Sequence, residues 1–287
     1  MTTVTSDART TGGALRGARV LIPRGGAWGE RVAAEVVRRG GEGVIAPLIA
    51  SAAPRDEAAR DACFAALAAG TYAWLFVTSA ASVEQLVAHG IRVPESTRIA
   101  VVGPATGRAV TSAGWTVGFQ PDSESSAVTL AAQWCASHDA QAEGRVLILR
   151  SDLAGAHLSD ELQAHGFTVD IGIAYRTVGI DLDPAVVREL REGAIDIVLL
   201  TSLSVARELR RQIGPLPDRV RVASIGPGTT RDAEHIGFTV AHTATTQSVD
   251  ELLAELDAAR PSDASPLRDD PRDRRDAHTS HDQETRA

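Results

Sequence analysis

The sequence predicts an α/β fold built on parallel sheets and internally duplicated, and three observations carry that prediction. Short apolar runs of strand length alternate with segments of helical periodicity, the pattern of strands covered by helices on both faces. One stretch occurs twice in strict register. Val102-Gly103-Pro104-Ala105-Thr106 and Ile225-Gly226-Pro227-Gly228-Thr229 stand 123 residues apart, and Arg108 and Arg231, Gly114 and Gly237, and Val117 and Val240 keep that spacing. Upstream, Thr78-Ser79 recurs as Thr201-Ser202 at the same distance, each pair directly after an apolar run. A second match sets Gly17 to Arg24 against Gly144 to Arg150, now 126 residues apart at the two arginines, and Gly40 and Gly166 hold that second spacing. The chain therefore reads as two copies of one unit, Gly17 to Val117 and Gly144 to Val240, with a three-residue length change inside. A duplication of this kind has to be found first, because it governs the whole fold.

The elements follow in order. Ala18 to Ile22 reads as a buried parallel strand that stops at Pro23-Arg24 and the Gly25-Gly26 turn. A helix is expected from about Ala27 to Arg39, with Val32, Val36 and Val37 on its apolar stripe and Gly40-Gly41 ending it. A strand at 43–46 runs into Pro47. A helical stretch at 56–69 leads to the strand Trp74 to Val77, the Thr78-Ser79 turn and a helix over 80–89. A strand near Ile99 reaches the first Gly-Pro-Ala-Thr, whose helix closes at Gly114 before a strand over 115–119. Ser125 and Ser126 look like caps for a helix holding Leu130, Trp134 and Cys135. The second copy repeats the order: a strand over 145–150, a helix over 155–164, strand residues 167–171 and 174–176, a helix after Pro184, a strand over 195–200, a strand over 220–224 and the second Gly-Pro-Gly-Thr. A last helix, 248–258, opens with a Ser-Val-Asp-Glu capping pattern. Beyond Pro261 the composition turns to Asp, Arg, Ser and His, too poor in apolar residues to offset the entropy of ordering.

Composition removes whole classes of chemistry. All 29 Lys and Arg residues are arginine, so a Schiff-base lysine and the lysine of a phosphate-binding P-loop are impossible. A formal charge of −8 argues against a nucleic-acid binder, which would carry a basic face. It does not forbid an anionic small substrate, because helix N-termini and a few arginines can make a locally positive cleft. Cys63 and Cys135 sit in apolar helical segments and are expected to be buried thiols, and the dispersed histidines offer no metal-ligand spacing, so no metal is expected. No run reaches the roughly 18 apolar residues of a membrane span, and the start lacks the basic and apolar regions of a signal peptide. A cytoplasmic protein follows, with no membrane partner.

In an α/β fold ligands belong at the carboxyl ends of strands. Arg24, Thr78, Ser79, Gly103, Thr106, Arg150, Thr201, Ser202, Gly226 and Thr229 all fall there. Each has a plain alternative reading. The threonines and serines could simply cap helices, and the two arginines could be surface residues ending strands.

Taken together these residues resemble the uroporphyrinogen-III synthase family. The resemblance runs from Gly17 to Ala258. It rests on Val20-Leu21-Ile22-Pro23-Arg24, the Phe76 to Val83 loop, Val102 to Thr106, Val146 to Asp152, Ala174-Tyr175-Arg176-Thr177, Leu200-Thr201-Ser202 and Ile225 to Thr229. It implies two flavodoxin-like, three-layer α/β domains joined by a two-stranded connector. One domain would comprise 17–46 with 178–258, the other 53–171, and the connector 47–52 and 172–177; outside them, segments 1–16 and 259–287 are expected to be disordered, the latter from its composition. Each sequence repeat would then be divided between domains.

The resemblance also implies a cofactor-free reaction of a monomer on hydroxymethylbilane, with hydroxymethylbilane synthase as the enzyme that would hand it over. The terminal hydroxyl leaves, ring D is attacked at its substituted carbon through a spiro intermediate, and the macrocycle closes with that ring inverted. Uncatalysed closure gives the non-inverted isomer, so the enzyme's task is to hold a conformation. Tyr175, one of two tyrosines, is the candidate donor of a hydrogen bond or proton to the departing hydroxyl. Arg24, Ser79, Gly103, Thr106, Arg150, Ser202, Ser204, Gly226 and Thr229 are the candidates for gripping the polycarboxylate. A non-catalytic tetrapyrrole- or anion-binding regulator on the same scaffold is the other reading. A periplasmic-type sugar-binding protein is disfavoured by the missing signal peptide.

Overall fold

The computed structural model describes residues 13–122 and 125–259. The chain opens with β1 (Arg19–Ile22), α1 (Gly26–Arg38) and β2 (Glu42–Ile45), then crosses through β3 (Ile49–Ala52). It continues with α2 (Glu57–Ala68), β4 (Trp74–Val77), α3 (Ala80–Ala88), β5 (Arg98–Val101), α4 (Pro104–Ser112) and β6 (Val117–Phe119). α5 (Ala127–Ser137) and α6 (Ala140–Glu143) link to the second copy, which supplies β7 (Val146–Ser151), α7 (His157–Ala164) and the long β8 (Val169–Gly179). After β8 come α8 (Pro184–Arg191), β9 (Ile197–Leu200), α9 (Leu203–Ile213), β10 (Arg221–Ser224), α10 (Pro227–His235), β11 (Val240–Thr243) and α11 (Val249–Ala258).

Two sheets result. One has five parallel strands in the order β11-β10-β9-β1-β2, and the other has six in the order β3-β8-β7-β4-β5-β6. In chain order the first is the flavodoxin-like 2-1-3-4-5 arrangement. The second keeps that spatial order in β8-β7-β4-β5-β6 but is circularly permuted, since its first strand in sequence is β4. Each sheet takes strands from both copies of the repeat. The first copy gives β1 and β2 to one sheet and β4, β5 and β6 to the other; the second copy gives β7 and β8 to the latter and β9, β10 and β11 to the former.

The apolar runs feed two cores at once because successive strand residues point to opposite faces. In β1, Val20 and Ile22 enter one core with Val32 and Val36 of α1 and Leu252, Leu253 and Leu256 of α11, while Leu21 enters another with Val205 and Leu209 of α9. In β4, Leu75 and Val77 face Phe64, Val83 and Leu86, while Trp74 and Phe76 face Leu130, Trp134 and Leu162. Each fully buried residue of this size contributes about 1.5–3 kcal/mol.

β3 and β8 form an antiparallel pair, Ile49↔Gly179 to Ala52↔Arg176, on the edge of the second sheet. The strand pieces expected at 167–171 and 174–176 are one continuous strand, because the ladder with β7 hands over directly to the ladder with β3. Of the 1–16 segment expected to be disordered, residues 13–16 belong to a turn whose Leu15 is fully buried against Val20 and Leu252; an apolar side chain with a place in the core outweighs the polar composition around it. Residues 1–12 and the segment from 260 lie outside the described residues. Ser126 caps α5 by accepting the Thr129 N–H at 3.1 Å. Ser248 makes no side-chain cap bond, and α11 is held instead by its buried Val249, Leu252, Leu253 and Leu256.

Candidate active site

The strand order creates a switch point in each sheet. Neighbouring strands β1 and β9, and in the other sheet β7 and β4, send their following segments to opposite sides and leave a crevice at their carboxyl ends. The turns after these four strands, with β3 and β8, wall one cleft of about 670 Å³. Arg24 and Gly25 come from the end of β1, Thr201 to Ser204 and Arg207 from β9 and α9, Ser79 to Ala81 from β4 and α3, and Ser151, Leu153 and Ala154 from β7. Tyr175 and Thr177 of β8 and Ile49 to Ser51 of β3 complete it.

On one wall a hydroxyl cluster is built around a helix cap. Ser79 Oγ accepts the Ser82 N–H at 3.2 Å, capping α3, and lies 3.0 Å from Ser82 Oγ. The Tyr175 hydroxyl lies 3.1 Å from the same Ser79 Oγ. Tyr175 is buried, with only 8% of its surface exposed. It reaches this position because the β7–β8 register slips by one residue: Arg150 pairs with Ile173, but Ser151 pairs with Tyr175. A bulge of this kind re-aims the side chain that follows it.

The opposite wall carries the charge. Ser202 Oγ caps α9 by accepting the Val205 N–H at 3.3 Å, and Ser204 and Arg207 lie on the exposed first turns of that helix. Thr201 Oγ1 is buried with no hydrogen-bond partner among the described residues, a group that a bound polar ligand could satisfy. The Arg24 guanidinium sits over the Trp28 ring, 5.0 Å from its centroid. Among the described residues Arg24 and Arg207 are the charged side chains of the wall, and no Asp or Glu lines it. α1, α3 and α9 all begin at the cleft with no acidic residue in their first turns, so their unpaired N–H groups add positive potential. The arrangement suits a ligand bearing several carboxylates.

The structure thus brings together five of the sequence-derived candidates: Arg24, Ser79, Tyr175, Ser202 and Ser204. Arg150, next to last in β7, donates from Nη1 to the Gly155 carbonyl, closing the turn before α7 rather than lining the wall. Gly103, Thr106, Gly226 and Thr229 follow β5 and β10, one strand further from each switch point, and do not line the cleft. Gly103 and Gly226 are extended, and what each position requires is space: a Cβ would come within 2.3 Å of Ser125 Oγ at the first and 2.8 Å of Gln247 Cγ at the second. Thr106 is buried at the start of α4. In the second copy it is Thr230, not Thr229, that bonds the Gly226 carbonyl, at 3.3 Å, and the Thr243 hydroxyl, at 2.6 Å.

Arg207 was not among the sequence-derived candidates, and Thr201 was read only as a strand-end residue, not as one gripping the substrate. The signal for Arg207 was its position three residues after Ser204, one turn along the same helix. Neither cysteine competes for a nucleophilic role. Both are free and half-buried rather than fully buried; burial, helped by Asp170, pushes the Cys63 thiol up to about 11, so it is protonated at neutral pH.

Known proteins resemble this chain in sequence and in fold. A family model described as uroporphyrinogen-III synthase HemD matches residues 30–254. A protein of Methanothermobacter thermautotrophicus that carries a provisional uroporphyrinogen-III synthase name is 28% identical over 232 residues, covering 76% of this chain and 88% of its own length. The crystal structure of a mutant uroporphyrinogen III synthase from Thermus thermophilus superposes with a TM-score of 0.56 at 18% identity, covering 83% of this chain and 96% of that one. The uroporphyrinogen-III synthetase of Helicobacter pylori gives a TM-score of 0.55 at 15% identity, with 83% and 97% covered. These two likenesses are of fold.

Proposed function

The chain belongs to the uroporphyrinogen-III synthase family, and from that premise we propose that the cleft between its two sheets is where hydroxymethylbilane is closed to uroporphyrinogen III. The family is a cyclising lyase of tetrapyrrole biosynthesis, and the chain is such an enzyme. One observation carries the assignment of the site: a wall with two arginines, the starts of α1 and α9 and, among the described residues, no carboxylate faces a tyrosine hydroxyl across the same space. Arg24, Arg207, the Thr201 and Ser204 hydroxyls and the free N–H groups of α1 and α9 hold the substrate's carboxylates. That grip fixes the fold of the flexible bilane so that ring D presents its substituted carbon. Tyr175, kept in place by Ser79, donates to the departing hydroxyl, which leaves as water; attack at the substituted carbon then closes the spiro intermediate and inverts the ring.

We also propose domain bounds of 17–46 with 178–258, and 53–171, with 47–52 and 172–177 as connector, and a monomer working in the cytoplasm on substrate passed from hydroxymethylbilane synthase. Sedimentation of the purified protein checks the monomer, which a dimer at micromolar concentration would overturn. The test of function is to supply enzymatically made hydroxymethylbilane and resolve the isomers formed. The inverted type III isomer is expected; the type I isomer alone overturns the reading.

A further inference from the structure

We propose that Asp152 is a positioning residue for Tyr175, clamping β8 just past the bulge so that the phenol stays at Ser79; this rests on the reading of Tyr175 given above. β7 and β8 pair regularly from Val146↔Val169 to Arg150↔Ile173, and Ala174 is then the extra residue before Ser151↔Tyr175. A bulge interrupts the ladder and leaves its strand locally free to bend. On the other edge of β8 the pairing with β3 begins only at Arg176, one residue past the tyrosine.

Asp152 spans this gap with two bonds. Its backbone N–H donates to the Tyr175 carbonyl at 3.1 Å, and its Oδ1 accepts the Thr177 N–H at 3.0 Å. One residue therefore ties down Tyr175 and the residue two places on, which points to the same face of the strand. Ser151, Leu153 and Ala154 line the cleft, but Asp152 does not; it borders a separate hollow beside Arg55 and Ile173. Its influence on the reaction runs through the strand rather than through contact with substrate.

Four variants and one spectroscopic signal test this. The two tyrosines of the chain, Tyr72 and Tyr175, give two 19F lines when 3-fluorotyrosine is incorporated, and Tyr175→Phe identifies which is which. Asp152→Ala, which loses the acceptor for Thr177, should shift or broaden the Tyr175 line while the Tyr72 line stays put as the control for folding. Asp152→Asn, which keeps an Oδ1 acceptor, should restore the line. In turnover, Asp152→Ala should lower kcat about three- to tenfold, the size of one hydrogen bond, with KM within about twofold, and Asp152→Asn should recover it. Added to Tyr175→Phe, Asp152→Ala should cost little more, because coupled sites are not additive.

An unmoved Tyr175 line in Asp152→Ala overturns the proposal, as does Asp152→Asn behaving like Asp152→Ala, or a full additional loss in the double variant. Unchanged turnover in Tyr175→Phe instead overturns the catalytic reading of Tyr175 and leaves the 19F result to judge the clamp.

Discussion

Ser79 and Ser202 hold the same place in the two copies of the repeat and do the same local task, each capping a helix at 3.2 and 3.3 Å respectively. Their surroundings differ. Beside Ser79 stand Ser82 and, from the other copy, Tyr175, so the first wall is a cluster of hydroxyls. Ser82 matches Val205, and neither position that could match Tyr175, Ile49 or Ala52, carries a hydroxyl. Beside Ser202 stand Ser204 and Arg207, which match Ala81 and Glu84, so the second wall carries a cation where the first carries none. Residues that agree between copies build the scaffold. Those that disagree give each wall its chemistry.

That difference can be tested as a division between turnover and binding. The largest effect should come from Tyr175→Phe, which is expected to lower kcat about tenfold with a nearly normal KM, a modest general-acid contribution. Unchanged single-turnover formation of the type III isomer by the folded variant would remove the first wall from the chemistry. Next, Arg207→Ala should raise KM about three- to tenfold, the range for an exposed charge gripping a carboxylate, and leave kcat within about twofold. The KM of the unaltered enzyme should also rise with added salt, because such contacts are screened. A kcat loss at constant KM would erase the contrast.

The two caps offer a sharper control. Ser79→Ala and Ser202→Ala should each cost about 1 kcal/mol and lower Tm by about 2–4 °C. Only Ser79→Ala should also slow turnover, since it alone removes the partner of Tyr175. Equal slowing by both, measured side by side, would mean that capping accounts for the effect.

The smallest effect is expected far from the cleft, where the copies stay alike. Arg19 pairs with Glu42, and Arg145, its counterpart, grips Asp170 with two hydrogen bonds of 2.8 and 2.9 Å. The bond from Arg145 holds the Asp170 carboxyl below its usual range; partial burial opposes the shift and the Tyr72 hydroxyl reinforces it. A depressed carboxylate stabilises the fold above its unfolded pKa and loses that contribution as pH falls through the folded value. Asp170→Asn should therefore be slightly less stable at pH 7, and the gap should close as pH drops below about 4. A gap that persists in acid would show that the asparagine disturbs packing instead.

The same contrast explains what was legible in the sequence. Strands and helices could be read because Val20-Leu21-Ile22 and Trp74 to Val77 are buried on both faces, and because Ser79 and Ser126 cap where hydroxyl residues should. The split of each repeat between sheets came from family resemblance, since periodicity carries no information about which strands become neighbours. Within the site, matching the copies selects conserved geometry, which leads to Gly103 and Gly226, fixed by the close approach of Ser125 and Gln247. It passes over Arg207, whose counterpart is a glutamate and which resembles any charge on a solvated helix face. The bulge at Ala174 has no composition signature at all; only the pairing partner reveals it.

The sharing of strands between copies bears on how the chain could be divided. A break between β6 and α5 would yield one fragment with β1 to β6 and another with β7 to β11, and neither would own a complete sheet. Each fragment would expose sheet edges that only the other can cover, so the pair should be inert apart and recover activity on mixing. The duplication thus makes the enzyme separable into two halves that depend on each other, which would allow each half to be labelled or varied alone before the active molecule is reassembled.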